Sequence, residues 1–261
     1  LRAPPRSTLF PYTTLFRSRL IPVSVGLLYP DGSEAVETRV LELDKESVTF
    51  TFDNLRERPI PSILRDFSAP VIVVRDTSNE ENAFLLANDT DPFNKWEAGR
   101  NYALNILGRL ADGANDPDVA FHKAMKTVAV NNDLDPAFRA LAISLPDESV
   151  VAGDIVAKGG VPDPATIHKA RLLLDRSLAG EMADVLPAIY ANMKVEGAFT
   201  PDAKAAGKRA LRSRALKLMT LLDPDAKLAK QQYADADNMT EQLSALRSEE
   251  HTSELQSHLN L

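Results

Sequence analysis

The chain has 261 residues, a formal net charge of −7 and no cysteine. The lack of cysteine excludes disulfides, thiolate metal sites and cysteine nucleophiles, and it favours a reducing, cytoplasmic location. A mildly acidic chain without a long basic run argues against a protein that binds nucleic-acid backbones. No run of about 18 apolar residues is present that would suit a membrane span.

The two ends of the chain are related to each other at the level of codons. Residues 8–18, TLFPYTTLFRS, contain prolines and threonines that interrupt any apolar run, so they do not form a secretory signal. When Leu15 to Ser18 are back-translated as CTC TTC CGA TCT, the reverse complement encodes Arg-Ser-Glu-Glu, the sequence found at 247–250. Both ends resemble in-frame translations of a common sequencing adapter. We therefore expect residues 1–18 and 247–261 to be non-native, and we exclude them from fold predictions.

Residues 19–76 have the pattern of β-strands. We predict strands at residues 21–30, 34–43, 47–54 and 69–74, of which the first ends at a Pro-Asp-Gly turn. Strands without helices between them predict an antiparallel sheet, as in a sandwich. Four strands are few for a sandwich, so this domain is expected to be incomplete at its amino end.

Two of these strands carry a clear alternation of residue types. In the second strand, Val36 and Val40 fall on one face and Leu41 and Leu43 on the other. In the third, one face carries the apolar residues and the other carries serine and threonine. A helix between the last two strands is excluded by three prolines, namely Pro59, Pro61 and Pro70.

From about residue 78 onward the pattern becomes helical. A helix over residues 91–112 is predicted to start with Asp91 as N-cap and Pro92 at its first position, and to stop at Gly113. Further helices are predicted at 116–131, 136–144, 148–157, 163–195 (bent near Pro187), 201–222 and 224–236, with the start of another in residues 236–246.

These elements predict an α+β fold, in which a partial antiparallel β-sandwich is followed by an all-helical domain. Helices of this length joined by tight turns form a bundle or a superhelix. The predicted domains are residues 19–76 for the sandwich and residues 77–246 for the helical part. Missing strands and helices would leave apolar faces exposed, which predicts poor solubility or a molten character for this chain.

Candidate catalytic residues are scarce in this sequence. His122 and His168 lie on separate predicted helices, and the H-E-x-x-H pattern of zinc peptidases does not occur. Isolated histidines of this kind are expected at the surface or half-buried. Trp96, Phe93 and Tyr102 are expected in the core.

Three further stretches suggest a site but have simpler interpretations. The stretch NDTDP, residues 88–92, lacks the ligand spacing of a calcium loop, so Asp89 or Asp91 is expected to cap a helix. The stretch AKGGVP, residues 157–162, lacks the lysine of a phosphate loop and is expected to end a helix. A basic stretch is expected to be a solvated face or to pair with acids, and binding of phosphate or acidic groups is the less favoured alternative; it consists of Lys208, Arg209, Arg212, Arg214 and Lys217. We therefore predict no catalytic, cofactor-binding or metal-binding residue.

Three blocks of the sequence resemble one enzyme family. They are residues 48–73 (VTFTFDNLRERPIPSILRDFSAPVIV), residues 85–103 (LLANDTDPFNKWEAGRNYA) and residues 236–240 (ADNMT). In this order they resemble the bacterial aminopeptidase N family of zinc-dependent alanyl aminopeptidases. In that family, a β-domain and a catalytic zinc domain precede a small β-sandwich and a large helical domain.

The resemblance implies that this chain corresponds to the later part of the sandwich and the first part of the helical domain. The metal ligands, the general-base glutamate and the motif that holds the substrate amino terminus lie upstream in the family, and none has a counterpart here. The implied role is non-catalytic: the chain would support and cover a catalytic domain that is absent, with zinc and peptide substrates bound only in the parent protein. A stand-alone helical interaction module with a small β cap is the alternative, and neither interpretation implies nucleic acid or a membrane.

Overall fold

The computed structural model describes residues 20–115 and 118–259, with side chains described as far as residue 249. The predictions for residues 1–18 and for a helix start at 116–117 lie outside these ranges. The chain divides into two compact units, Leu1–Ala98 and Gly99–Leu261. Each unit is described by itself below.

The first unit contains a small antiparallel sheet. Strands β1 (Ile21–Leu28), β2 (Glu34–Leu43) and β3 (Ile60–Ile63) lie in the order β2-β1-β3. The predicted turn joins β1 to β2, where Gly32 has φ +85°, a conformation that favours glycine. Alternate residues of β1 form a small core with Leu64 and Ala69; they are Val23, Val25 and Leu27.

A bulge in the β1–β2 pair changes which side chains of β2 face this core. Val23 pairs with Leu41, whereas Leu27 pairs with Val36, with register shifts on either side of Leu27. The extra residue brings Val36 onto the same face as Leu41. The prediction that they lie on opposite faces is therefore wrong, because simple alternation cannot anticipate a bulge.

The two predicted strands at 47–54 and 69–74 are not strands in the structure. Residues 47–54 form no strand in the part of the chain that the structure describes, and residues 69–74 contribute one bridge residue, Ile72. The third strand is instead β3, which carries Pro61. A proline fits there because β3 is an edge strand, where a missing N–H costs no ladder hydrogen bond. Alternation favours a strand, but the hydrogen-bond partner depends on the tertiary structure.

Two helices meet near the end of the first unit. Helix α1 (Asn79–Asn88) is capped by Ser78, whose side chain accepts a hydrogen bond from the Glu81 amide. Helix α2 (Pro92–Ala111) follows after three residues and continues into the second unit.

The second unit consists of helices joined by short turns. They are α3 (Val119–Val130), α4 (Pro136–Ala142), α5 (Glu148–Ala157), α6 (Pro164–Glu181), α7 (Leu186–Asn192), α8 (Ala203–Thr220), α9 (Lys227–Asp235) and α10 (Met239–Leu259). The predicted α+β class, a small antiparallel sheet followed by helices, is confirmed. None of the described helices is long and apolar enough to cross a membrane.

The predicted single helix over residues 163–195 is two helices, α6 and α7. Pro187 lies in the first turn of α7. Its ring has no N–H and would clash with the carbonyl four residues earlier, so the chain breaks into a turn before it. The prediction of one continuous, bent helix was therefore wrong, although the disruption was correctly predicted near Pro187.

The core of the second unit is formed by large side chains from several helices. Tyr102 is 1% exposed and packs edge-on against Phe121, with ring centroids 5.2 Å apart. Helices α4 and α8 approach so closely at Gly207 that an added Cβ would lie 3.0 Å from the Ala137 nitrogen. The predicted core position of Tyr102 is confirmed, whereas Phe93 and Trp96 are only half-buried.

Candidate functional site

A buried guanidinium connects several segments of the first unit. Arg65 is 3% exposed and donates hydrogen bonds to Glu34 (2.8 Å) and Thr38 (2.9 Å) of β2 and to Ser62 (2.9 Å) of β3. Its Nη2 also lies 3.4 Å from Asp89 Oδ1, just after α1. One side chain thus joins two strands of the sheet to the turn that precedes α2.

Both the backbone and a glycine make room for this side chain. Leu64, Asp66 and Phe67 have positive φ angles, an unfavourable conformation that turns the chain sharply around Arg65. A Cβ on Gly26 would lie 2.2 Å from Arg65 Cζ, so the guanidinium occupies space that only glycine leaves free.

The acidic residues of the NDTDP stretch take part in this network as helix caps. Asp91 Oδ1 accepts a hydrogen bond from the Asn94 amide (2.8 Å) at the start of α2, and its Oδ2 accepts one from the Asp66 amide (2.8 Å). Asp89 Oδ1 accepts from the Asp91 amide (3.0 Å). The predicted capping role is confirmed for Asp91, and Asp89 stabilises the short connection between α1 and α2.

Burial shifts the pKa values of the charged groups in this network. Desolvation raises the pKa of Asp89, against the effect of the Asp91 amide, Ser62 and Arg65. The hydrogen bond from Arg65 lowers the pKa of Glu34. Asp89 Oδ2 has no hydrogen-bond partner in the described part of the chain, so Asp89 depends on Oδ1 and on the charge of Arg65.

Lys95 is a second buried cation next to this network. It is 4% exposed, and its Nζ donates to the carbonyls of Leu86 (3.0 Å) and Ala87 (2.9 Å) at the end of α1. Burial lowers its pKa to about 8, while the charge of Asp89 acts in the opposite direction. Lys95 therefore caps the carboxyl end of α1.

The network has the chemistry of a structural clamp. It combines capped helix ends with paired charges, and its hydrogen bonds join β2 and β3 to the connection between α1 and α2. Sequence reasoning assigned roles to Asp89 and Asp91 but missed Ser62, Arg65 and Lys95. A signal for the latter two was present, because each is a lone cation close to apolar residues, as in ILRDF at 63–67.

A second buried charge pair lies in the helical unit. Arg214 of α8 donates to Asp175 Oδ1 of α6 (2.7 Å) and, from Nε and Nη2, to the Ile143 carbonyl (3.1 and 2.8 Å). Both side chains are less than one-tenth exposed. Burial alone would raise the pKa of Asp175, but Arg214, Lys217 and Arg171 together hold it below its usual value.

Other residues of the basic stretch are also paired. Arg212 Nη1 donates to Glu241 of α10 (2.7 Å) and its guanidinium stacks on the Tyr190 ring. Arg209 donates to the Thr200 carbonyl (2.6 Å) and lies over the Phe199 ring. Of the two expectations for this stretch, a solvated face or pairing with acids, the structure shows pairing for Arg212 and Arg214, on a helix that is buried on more than one side.

The remaining sequence candidates occupy ordinary helical positions. His168 is half-exposed, and its Nδ1 lies 2.9 Å from Glu148 Oε1. His122 is only 3% exposed, so the expected surface or half-buried position was wrong for this residue, because α3 buries two adjacent rows of side chains. The AKGGVP stretch ends α5, and Gly159 has φ +84°, which confirms the predicted helix stop.

The ADNMT block is the start of a helix. Asn238 Oδ1 accepts a hydrogen bond from the Glu241 amide (3.0 Å), so it caps α10. Among the described residues, no three His, Asp or Glu side chains come together as a metal site requires. The side chains described here therefore do not fit the zinc ion that the resemblance implies for the parent enzyme.

The sequence matches two known protein-family models, one for each part of the chain. Residues 79–259 match a domain of unknown function, DUF3458_C, described as ARM repeats, and residues 15–76 match DUF3458, described as an Ig-like fold. The chain is 35% identical over 228 residues to aminopeptidase N of Caulobacter vibrioides, and the match covers 85% of this chain and 26% of the relative. It is 30% identical over 216 residues to aminopeptidase N of Escherichia coli, covering 79% and 24%. The chain belongs to the DUF3458_C family, and the resemblance to aminopeptidase N is confirmed.

A solved structure gives the same result at the level of the fold. The crystal structure of Legionella pneumophila aminopeptidase A in complex with aspartic acid superposes with a TM-score of 0.75 at 29% identity, covering 88% of this chain and 28% of that one. The chain spans about a quarter of the length of the curated aminopeptidase N relatives it matches. The Arg65 network uses residues from the blocks that carry the resemblance, including Ser62, Asp89, Asp91 and Lys95.

Proposed function

We propose that the chain is the non-catalytic C-terminal part of a zinc aminopeptidase that removes residues from the amino ends of peptides. Its role is to support and cover a catalytic domain, which is its main partner in the parent protein. The main support for the proposal is that this chain matches about a quarter of the length of its aminopeptidase N relatives. The absence of H-E-x-x-H from the sequence supports it.

Zinc and peptide substrates belong to the parent in this proposal. Zinc bound there would polarise the scissile carbonyl and activate water. In this chain, residues 19–76 are the sandwich part, residues 77–246 are the helical part, and residues 1–18 and 247–261 derive from an adapter. A cytoplasmic location fits the lack of cysteine.

The sequence of the native gene tests this proposal directly. Reading the source DNA in frame upstream of residue 19 is expected to reveal H-E-x-x-H, and neither end of the printed chain is expected in the genome. A native start codon near residue 19 would contradict the proposal and favour a stand-alone module.

An activity assay provides an independent test. The purified chain is expected to leave an alanyl chromogenic substrate uncleaved, with or without added zinc. The parent protein expressed from the extended gene is expected to cleave it in a zinc-dependent manner. Cleavage by the 261-residue chain itself, after control for host peptidases, would overturn the non-catalytic role.

A further inference from the structure

A groove of about 710 Å³ lies within the helical unit between α8 and α10. Its lining combines cations and hydroxyl groups with a few apolar side chains, including Ser213, Arg214, Lys217, Thr240, Leu243 and Arg247. Among the described residues, no acidic side chain lines the groove, and Asp175 also lies outside the lining. The groove wall is therefore positive.

Arg214 has an unused donor at this wall. Its described hydrogen bonds to Ile143 and Asp175 are made through Nε and Nη2, and none of them involves Nη1. The Asp175 pair holds the guanidinium plane in place. A guanidinium fixed in this way is prepared for an additional acceptor, because little side-chain entropy remains to be lost.

Lys217 adds a second charge that the protein only partly neutralises. Its Nζ lies 3.9 Å from Asp175 Oδ2, beyond hydrogen-bonding distance, and the same carboxylate already accepts a bond from Arg214. The side chain is 30% exposed. Burial lowers its pKa; the charges of Asp175 and Asp147 act in the opposite direction, and the positive charges of Arg214 and Arg171 lower it further. An incoming anion would reduce this repulsion.

The first turn of α10 completes the wall. Met239 and Thr240 line the groove in the first turn of a long helix, where the helix dipole favours negative charge. We propose that the groove binds an anionic group, a carboxylate or a phosphate, between Lys217, Arg214 and the first turn of α10. The apolar side chain of Leu243 contacts the carbon atoms that carry the group.

Calorimetric titration of the full chain tests this site. Inorganic phosphate represents a free anion, and N-acetylglutamate α-amide represents an acidic side chain of another protein segment. Saturable binding of either probe, weakened by added salt, supports the proposal, and the tighter probe identifies the source of the anion. If neither probe binds, the proposal is overturned.

Matched variants locate the binding to this groove. Lys217→Met leaves the Arg214–Asp175 pair intact and is expected to weaken binding about tenfold or more, the effect of losing one charge-assisted hydrogen bond. Lys230→Met, which removes an exposed lysine of α9 outside the groove, is expected to have no effect. Equal binding by the Lys217→Met variant would overturn the assignment.

Arg247 requires its own control because it lies in the end that we attribute to an adapter. Arg247→Met is expected to weaken binding less than Lys217→Met, since Arg214 and Lys217 form the fixed part of the site. Loss of binding in Arg247→Met with full binding in Lys217→Met would show that the appended end creates the site, which contradicts the proposal.

Discussion

At the scale of single residues, Arg65 connects three separate segments of the first unit. Its guanidinium contacts β2, β3 and the residue after α1, and it lies where Gly26 leaves space. The side chain of Asp89 is 0% exposed, so its charge is balanced from within the protein. The stability of this unit is therefore expected to be sensitive to the loss of one cation.

We predict that Arg65→Met lowers the free energy of unfolding by about 3–5 kcal/mol, because it leaves a buried carboxylate uncompensated. Trp96 is the only tryptophan and lies in the same unit, so its fluorescence during urea unfolding reports this change. Arg56→Ala is the control, because its pair with Asp31 is more than half exposed, and the urea midpoint is expected to stay unchanged. Equal effects of the two substitutions would show that burial does not determine the cost.

The buried amine of Lys95 predicts a pH dependence. Its pKa falls from 10.5 to about 8 on folding, so the folded state binds fewer protons than the unfolded state between these values. Stability is therefore expected to rise with pH from about 8 to 10, by at most about 1.4 kcal/mol per pH unit.

Urea unfolding monitored by Trp96 at several pH values measures this slope. Lys95→Met is expected to abolish it, and Lys45→Met, at an exposed lysine, is expected to retain it. A slope that persists in Lys95→Met would assign the titration to another group.

At the scale of elements, α8 organises the helical unit. It pairs with α6 through Arg214 and Asp175 and with α10 through Arg212 and Glu241. It also approaches α4 at Gly207. A helix that is packed on several sides has little space for larger side chains.

Two glycines in helices are predicted to respond in opposite ways to the same substitution. Gly153→Ala in α5 adds a methyl group to open space and is expected to stabilise the unit by about 0.5–1 kcal/mol through helix propensity. In Gly207→Ala the new Cβ would lie 3.0 Å from the Ala137 nitrogen, and the gain is expected to be cancelled or reversed. Thermal unfolding followed by far-UV circular dichroism compares them, and equal stabilisation would show that α4 moves away from α8 at little cost.

At the scale of the whole molecule, several large apolar side chains are exposed. In the first unit, Ile72 is 69% and Val74 is 67% exposed, in a segment where Ile72 forms a single bridge. Exposed apolar segments of this type promote association between chains.

We therefore predict that the purified chain associates as its concentration rises, as measured by light scattering. The double substitution Ile72→Thr and Val74→Thr keeps the strand propensity and is expected to reduce association without changing the urea midpoint. Val161→Thr, at an isolated loop residue that is 92% exposed, serves as the control. A monomeric original chain at high concentration would contradict the prediction.

The sequence by itself determined those features that depend on near neighbours. Helix starts at three Asp-Pro pairs were predictable because a carboxylate cap and a proline at the first position act within one turn, as at Asp91, Asp135 and Asp163. The break at Pro187 was visible for the same reason. The predicted start at Pro224 was wrong, because α9 begins only at Lys227. The family resemblance also came from short blocks of sequence.

Only the tertiary structure decided which distant residues meet. Arg65 bonds to Glu34, which is 31 positions away, and Arg214 bonds to Ile143, which is 71 positions away. Such pairs depend on the sheet register, on positive φ angles in a turn and on helix packing, none of which a local pattern specifies. The bulge in β2 and the burial of His122 were likewise decided by the tertiary structure. Both depend on how the whole unit pairs and packs.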